Sequence, residues 1–504
     1  MTNQFLLAQK KPEDLTKAFW FLAASLVIYE LFTASEAFSL NIICIAITAM
    51  ALLPSYLWCA GKALGMPIFP MFSITFIWTY ALPLISNNQN VLDYSIDQRL
   101  FAGITTLGFL AVGCAVWFRF VKTAPIPPLS YRSLTGTKGN TIFFLALAAS
   151  VFFNMASIGG WLAILALNGG AFSLLRNTVI AFTALSSFVL SYRLGKEELT
   201  PKQSRALVAL LTSFMLSSAL GFLLITSATV FLSSIAAFVV GRRKVPIVLM
   251  LSVVLCLSFL HAGKADMRSR YWGRYSQVGY IQPWQYPTVY GEWVDSSIKN
   301  LSLNSAAADS SVQSRETFGD RASVIHMMML SQSLSPQPLP FLKGYTYQIL
   351  PEMLVPRLLY PEKPWSHEGT YRLNIYYGRQ TKDETRRTTI AWGLLAEAYA
   401  NFGILGCVGL AGVLGSLYGF VSRLSINAPI LSLQSLIAVF LMTYAIQSEW
   451  TASVYVAALS QHAVVLMAIA VFLMKKRPNE ELLTAYNYFH SPNVFSINSA
   501  MKKR

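Results

Sequence analysis

Apolar runs of membrane-crossing length recur along most of this sequence. They fall at 18–35, 38–58, 67–86, 99–121, 141–165, 171–191, 206–223, 225–241, 245–262, 390–420, 428–447 and 453–474. About 20 apolar residues cross the hydrocarbon core of a bilayer, so the pattern predicts an all-α polytopic membrane protein with about twelve transmembrane helices. A barrel would instead show ~10-residue stretches of alternating hydropathy. Only 12% of residues are charged, about half the share in soluble domains. The two runs within 206–241 read either as two short spans or as one helix broken near Thr226 and Ser227. The polar stretch before the first run and the lack of an A-x-A-like site after it predict a retained span rather than a signal peptide.

The formal net charge of +16 does not point to nucleic acid, because much of it sits in short loops beside spans, where the positive-inside rule places it. Lys10, Lys11 and Lys17 precede the first span; Lys122, Arg132 and Lys138 follow the fourth. Arg193, Lys196, Lys202 and Arg205 follow the sixth, Arg242, Arg243 and Lys244 the eighth, and Lys475, Lys476 and Arg477 the last. Twelve spans put all of these on one side. Both termini are then cytoplasmic, and one long loop faces outward. The chain divides into an N-terminal bundle of about nine spans (1–262), the loop (263–389), a C-terminal set of spans (390–474) and a cytoplasmic tail (475–504).

The loop differs in composition from its surroundings. Ser296–Ser314 is rich in small polar residues and reads as mobile. The stretch RASVIHMMMLSQSL reads as a helix with Ile325, Met328 and Met329 on one face, ended at Gln332. LPFLKGYTYQILPEMLVPRLLYPEKP is too interrupted by proline to cross a membrane, and reads as short amphipathic helices on its surface.

The loop's cations are mainly arginine, the residue preferred where a planar fork must grip phosphate or carboxylate. Arg321, Arg357, Arg372, Arg386 and Arg387, with Lys363, are candidate ligands for an anionic headgroup, and Arg176 at the outward end of the sixth span could join them. The bland alternative is a rim of charge held to anionic lipid. Glu397 stands where the polar loop gives way to the apolar run 390–420. As one helix that run is ~46 Å long at ~1.5 Å per residue, longer than the ~30 Å core, so Glu397 is placed about one turn outside the hydrocarbon with Asn401 on the same face. There it could act as a general base toward a lipid-borne substrate, or pair with a loop arginine. His326 and His367 are further candidates for the site. Gly403, Gly406, Gly409, Gly412 and Gly415 recur every third residue, a spiral suited to close helix packing. The five cysteines and five histidines show no metal-ligand spacing, so no metal and no cofactor are expected.

Three pieces, in this order, resemble the bacterial Wzy-type polymerases of oligosaccharide repeat units, within the GT-C-like group of lipid-linked glycan transferases. They are Arg321 ahead of a helical segment, GYTYQILPEMLVPRLLYPEKP with Gly344, Arg357 and Lys363, and GLLAEAYANFGILG with Glu397, Asn401 and Gly403. The resemblance covers roughly 315–420. It implies an inner-membrane enzyme whose substrates, donor and acceptor, are oligosaccharides on undecaprenyl diphosphate at the periplasmic face. The growing glycan would move to a non-reducing-end hydroxyl of the next lipid-linked unit, and undecaprenyl diphosphate would leave. Displacement at the anomeric carbon would invert configuration. Membrane lipid is an expected neighbour, and a chain-length regulator protein an open partner. An O-antigen ligase would use the same donor and loop. A flippase or transporter is the reading from another class, against which stands the concentration of charge in one loop rather than at mid-membrane.

Overall fold

The computed structural model describes residues 13–478 except 36, 87, 129, 135, 163–168, 223, 272–279, 308–322, 358 and 386–387. Among the described residues nine helices are long and apolar enough to cross a membrane: Leu15–Phe32, Phe38–Cys59, Ile96–Val121, Asn140–Ile158, Ala171–Gly195, Leu224–Arg242, Ile247–Tyr271, Leu394–Leu424 and Ala452–Phe472. Two shorter apolar helices, Ile68–Leu84 and Leu433–Ala445, join them. This is a mostly helical, multi-pass membrane protein.

The stretch 206–241 forms two helices, Pro201–Ala219 and Leu224–Arg242. The chain turns at Leu220–Phe222 rather than at Thr226 and Ser227, because Ser227 Oγ lies within the second helix, bonded to Ser218 Oγ at 2.6 Å and to the Met215 carbonyl at 2.9 Å. The first of the pair opens with a capping box between Thr200 and Gln203.

The core joins the two halves of the chain. Ile96–Val121 packs along Leu394–Leu424 so closely that a Cβ on Gly415 would lie 2.6 Å from the Gly113 carbonyl. Around this seam sits an aromatic cluster: Phe69 stacks on Trp117 at 5.6 Å between ring centres, and Phe72 meets Tyr418 at 5.4 Å. Both glycines therefore serve backbone approach, as small residues do between membrane helices.

Basic loops meet at one end of the bundle. Arg423 donates to the carbonyls of Phe120 and Thr123, and Arg132 donates to the Ala470 carbonyl. Arg243 lies over the Trp58 ring, and Arg242 pairs with Glu197. Two short antiparallel strands, Ser130–Ser133 and Lys475–Pro478, close this end.

The long central segment makes up much of the other end, and it carries more structure than expected. Ile247–Tyr271 continues past residue 262, and Arg268 on it donates twice to the Phe222 carbonyl. Ser296 does not open a mobile stretch. A 22-residue helix, Tyr286–Ala307, runs through it, with Trp293 donating to the Leu260 carbonyl and Asn300 to that of Ala262. The remainder of that stretch, from 308, lies outside the described residues.

The expected helix after Arg321 is present as Ile325–Leu334, but its buried residues are not confined to the one face of Ile325, Met328 and Met329. Met327, Met328 and Met329 are all fully buried, and Gln332 donates to Thr105 Oγ1 of Ile96–Val121. Val324 N–H donates to the Thr79 carbonyl, in the widened π turn Ile77–Ala81. The remaining elements of the segment are short: Leu350–Leu354, Glu368–Tyr376 and Lys382–Thr385.

Candidate functional site

The run 390–420 is not one straight helix. Gly403 takes φ 62°, ψ −148° inside Leu394–Leu424, a region open essentially to glycine alone. The chain folds there, and the piece before the break doubles back along the piece after it. Cys407 Sγ lies 3.9 Å from the Leu395 carbonyl, and a Cβ on Gly406 would lie 2.3 Å from that of Ala398. Residues 394–402 therefore form a short helix tucked beside the long one.

That fold-back corrects the expected position of Glu397. It does not project from a single long helix toward an open loop. It is completely buried, and one carboxylate oxygen, Oε2, accepts a 2.6 Å hydrogen bond from Ala452 N–H at the start of Ala452–Phe472. A carboxylate suits a helix N-terminus, where unpaired amides carry partial positive charge. The other oxygen, Oε1, has no partner within hydrogen-bond distance, although the Thr346 hydroxyl approaches the carboxylate, and a Cβ on Gly369 would lie 3.6 Å from it. An unsatisfied buried oxygen is costly, and in a native fold it asks for a reason.

Asn401, also fully buried, clamps the loop. Its side-chain nitrogen donates to Thr346 Oγ1 and to the Glu397 carbonyl, and its Oδ1 accepts from Gly344 N–H. Its own carbonyl accepts from Lys343 N–H, so every polar group that Asn401 turns toward the loop is engaged.

The loop cations hold backbone. Arg357 donates to the carbonyls of Pro361 and Pro364 and lies over the Trp365 ring. Lys363, buried, donates at 2.7 Å to the carbonyls of both Met353 and Val355. Burial, and then the nearby Arg357 charge, pull the Lys363 pKa below its usual value. Arg372 bonds Glu368 and the Tyr345 carbonyl and sits over the Tyr345 ring. Arg176 is exposed on Ala171–Gly195 and lies near enough to His367 to depress its pKa, second to burial. Burial, and then Arg379, lower His326 to about 4, so it stays neutral near pH 7. Arg321, Arg386 and Arg387 lie outside the described residues.

Lys363 anchors an unusual piece of chain. Ser460 Oγ donates to the Met353 carbonyl, although Ser460 lies ~12 Å along its helix from Ala452 at ~1.5 Å per residue. The Leu350–Leu354 turn therefore runs down beside a spanning helix, with Leu354 and Leu359 exposed. Backbone at such depth must have its carbonyls satisfied. Lys363→Met should release the Val355 carbonyl, leave that of Met353 held by Ser460 alone, and cost about 1–3 kcal/mol, read as a lower melting temperature and faster proteolysis between 350 and 364. Unchanged melting would show that Lys363 does not anchor the segment.

Between Leu394–Leu424 and Ala452–Phe472 runs an apolar groove of about 800 Å³, roofed by Phe341, Lys343, Tyr347 and Leu350. Its walls include Leu405, Gly409, Val413 and Leu417 on one helix and Tyr455, Val456 and Leu459 on the other. Gly409 has nothing within 4 Å of where its Cβ would be, as does Gly412. Gly409 thus gives the groove depth rather than packing a neighbouring helix, a correction to the reading of the glycine spiral. The wall from Leu405 to Leu417 is ~18 Å long by helix rise, roughly one leaflet of a ~30 Å core. Lys343 is the one cation among the described lining residues, and it is exposed. Tyr347 stacks on Phe402, and burial, together with nearby Glu397, pushes its phenol pKa up.

The structure brings Glu397, Asn401, Lys343 and Tyr347 together beside the groove, and puts Arg372 next to the roof. Glu397 lies behind the groove wall and is not one of its lining residues. Lys343 and Tyr347 were not singled out from the sequence. The available signal was a lone cation within the apolar stretch LPFLKGYTYQIL. No family model, curated protein or solved structure matches this chain.

Proposed function

We propose that this protein is a glycosyltransferase of the bacterial inner membrane that polymerises oligosaccharide repeat units carried on undecaprenyl diphosphate. The observation that carries the reading is the groove: apolar, about one leaflet deep, and headed by a cation beneath a polar loop. A solute transporter needs a path across both leaflets, whereas a long-chain lipid needs a wall along one. The same reading takes the base-rich end as cytoplasmic and the loop end as periplasmic. It counts twelve crossings: the nine long apolar helices, the two shorter ones and Pro201–Ala219. The sequence resemblance to Wzy-type polymerases supports it independently.

In the proposed reaction an acceptor hydroxyl oxygen attacks the anomeric carbon of the donor glycan. The bond from that carbon to the diphosphate oxygen breaks, and the diphosphate leaves with the electron pair. Glu397 takes the hydroxyl proton on Oε1, the oxygen that lacks a partner. This step requires the Glu368–Tyr376 helix, which covers Oε1 through Gly369, to lift and admit the acceptor. Stabilising charge on the leaving group in a partly dry site is usually the largest catalytic term.

The test is a gene deletion followed by analysis of carrier-linked saccharides. Single repeat units accumulating on the periplasmic leaflet support a polymerase. Long polymer left on the carrier would indicate a ligase instead, and units retained on the cytoplasmic leaflet a flippase.

A further inference from the structure

The loop arginines are natural candidates for a diphosphate, yet the described ones are largely occupied. Arg357 and Arg372 donate to backbone carbonyls of the loop itself, and so does Lys363. Lys343 differs in three ways. It lines the groove, it is exposed, and its backbone is held on both sides by Asn401, through its own N–H and that of Gly344. It also stands at φ 49°, a left-handed conformation that few non-glycine residues adopt. The chain thus spends strain and two hydrogen bonds to buried Asn401 on fixing a lysine at the mouth of an apolar groove. Strain of this kind clusters at ligand clamps.

We propose that Lys343, with the Tyr347 phenol, is the headgroup contact for a polyprenyl diphosphate whose chain lies in the groove. The inference rests on the lipid-linked reading above and gives that substrate its place. Lysine acts on phosphate as a point charge, and Tyr347, which also lines the groove, keeps a neutral phenol because burial raises its pKa. The walls below offer no other charge among the described residues, which suits a hydrocarbon chain. Leaving-group charge would then be met by Lys343, while the arginines shape the loop that presents it.

Binding to the purified full-length protein in nanodiscs tests this, with four probes: a polyprenyl diphosphate, the matching polyprenol, inorganic diphosphate and phosphatidylglycerol. Lys343→Asn removes the charge and tolerates the left-handed backbone. It should weaken polyprenyl diphosphate about tenfold or more and leave polyprenol unchanged, while Lys343→Arg retains most of the affinity. Gly409→Leu fills the groove where nothing stands within 4 Å, and should weaken both prenyl probes alike. Equal binding of polyprenyl diphosphate by Lys343→Asn and wild type overturns the assignment. So does inorganic diphosphate binding as tightly as the prenyl form, or phosphatidylglycerol competing with it one for one. Glycan polymer in cells separates this inference from the wider reading. Normal polymer with Lys343→Asn removes the headgroup role and leaves the transferase, whereas intact Lys343-dependent binding without any transferase phenotype on deletion leaves the site and removes the transferase.

Discussion

Gly403→Ala is expected to cost about 1–3 kcal/mol from backbone conformation alone and to abolish polymer formation. At φ 62°, ψ −148° a side chain is strained whatever the space around it, and here the added Cβ would also lie 2.9 Å from the Phe341 ring. The break holds Leu395 and Ala398 against Cys407 and Gly406, and so sets where Glu397 and Asn401 stand. Relaxing residue 403 toward a helix would straighten the chain and pull Asn401 away from Gly344 and Thr346. The groove would lose its roof. Gly412→Ala is the matched control: it is helical with open space at its Cβ, and should be neutral or stabilise slightly. Thermal unfolding in detergent reads both, and equal melting of Gly403→Ala and wild type would remove the break as a constraint.

Glu397→Gln should leave the fold intact and reduce transfer by about 10²–10⁴-fold, the usual worth of a positioned acid–base group. The glutamine oxygen can still accept from Ala452 N–H, so the start of the last spanning helix keeps its partner. Glu397→Ala removes that acceptor too, and should lower stability by about 1–3 kcal/mol. The pair of variants separates two roles. A base predicts that glutamine is inactive and stable. A group that only positions the helix predicts that glutamine is active and only alanine is impaired. Full polymer from Glu397→Gln would therefore take the base away from this residue.

The architecture was legible where hydropathy runs were long, and the site was legible only in part. Spanning helices announce themselves, because hydrocarbon tolerates nothing else over 20 residues. The helix Tyr286–Ala307 was hidden because its packed face runs Trp293, Ser296, Ser297 and Asn300, three of them polar. Those residues are buried against another helix by close approach and hydrogen bonds, and no apolar period betrays them. Glu397 and Asn401 stood out as polar residues in an apolar run. Their surroundings did not, since the fold-back depends on one glycine dihedral that looks like any other Gly in a glycine-rich stretch. The engagement of Arg357 and Arg372 was hidden for a related reason. Composition shows that a cation is present, but not that a carbonyl a few residues away already engages it. Lys343 was the converse: one unremarkable lysine whose surroundings make it the exposed charge over the groove.

The seam between Ile96–Val121 and Leu394–Leu424 also bears on how the protein is made. Its first half enters the membrane about 270 residues before its second half exists, roughly 15–55 s at ~5–20 residues per second. Throughout that interval Gly113 lacks its close neighbour Gly415, and the rings of Phe69 and Phe72 lack Tyr418. The strand pair Ser130–Ser133 with Lys475–Pro478 can close only after nearly all of the chain has emerged. Closure of this seam is thus a late event in synthesis, and a ribosome stalled before Leu394 leaves Ile96–Val121 without the helix it packs along.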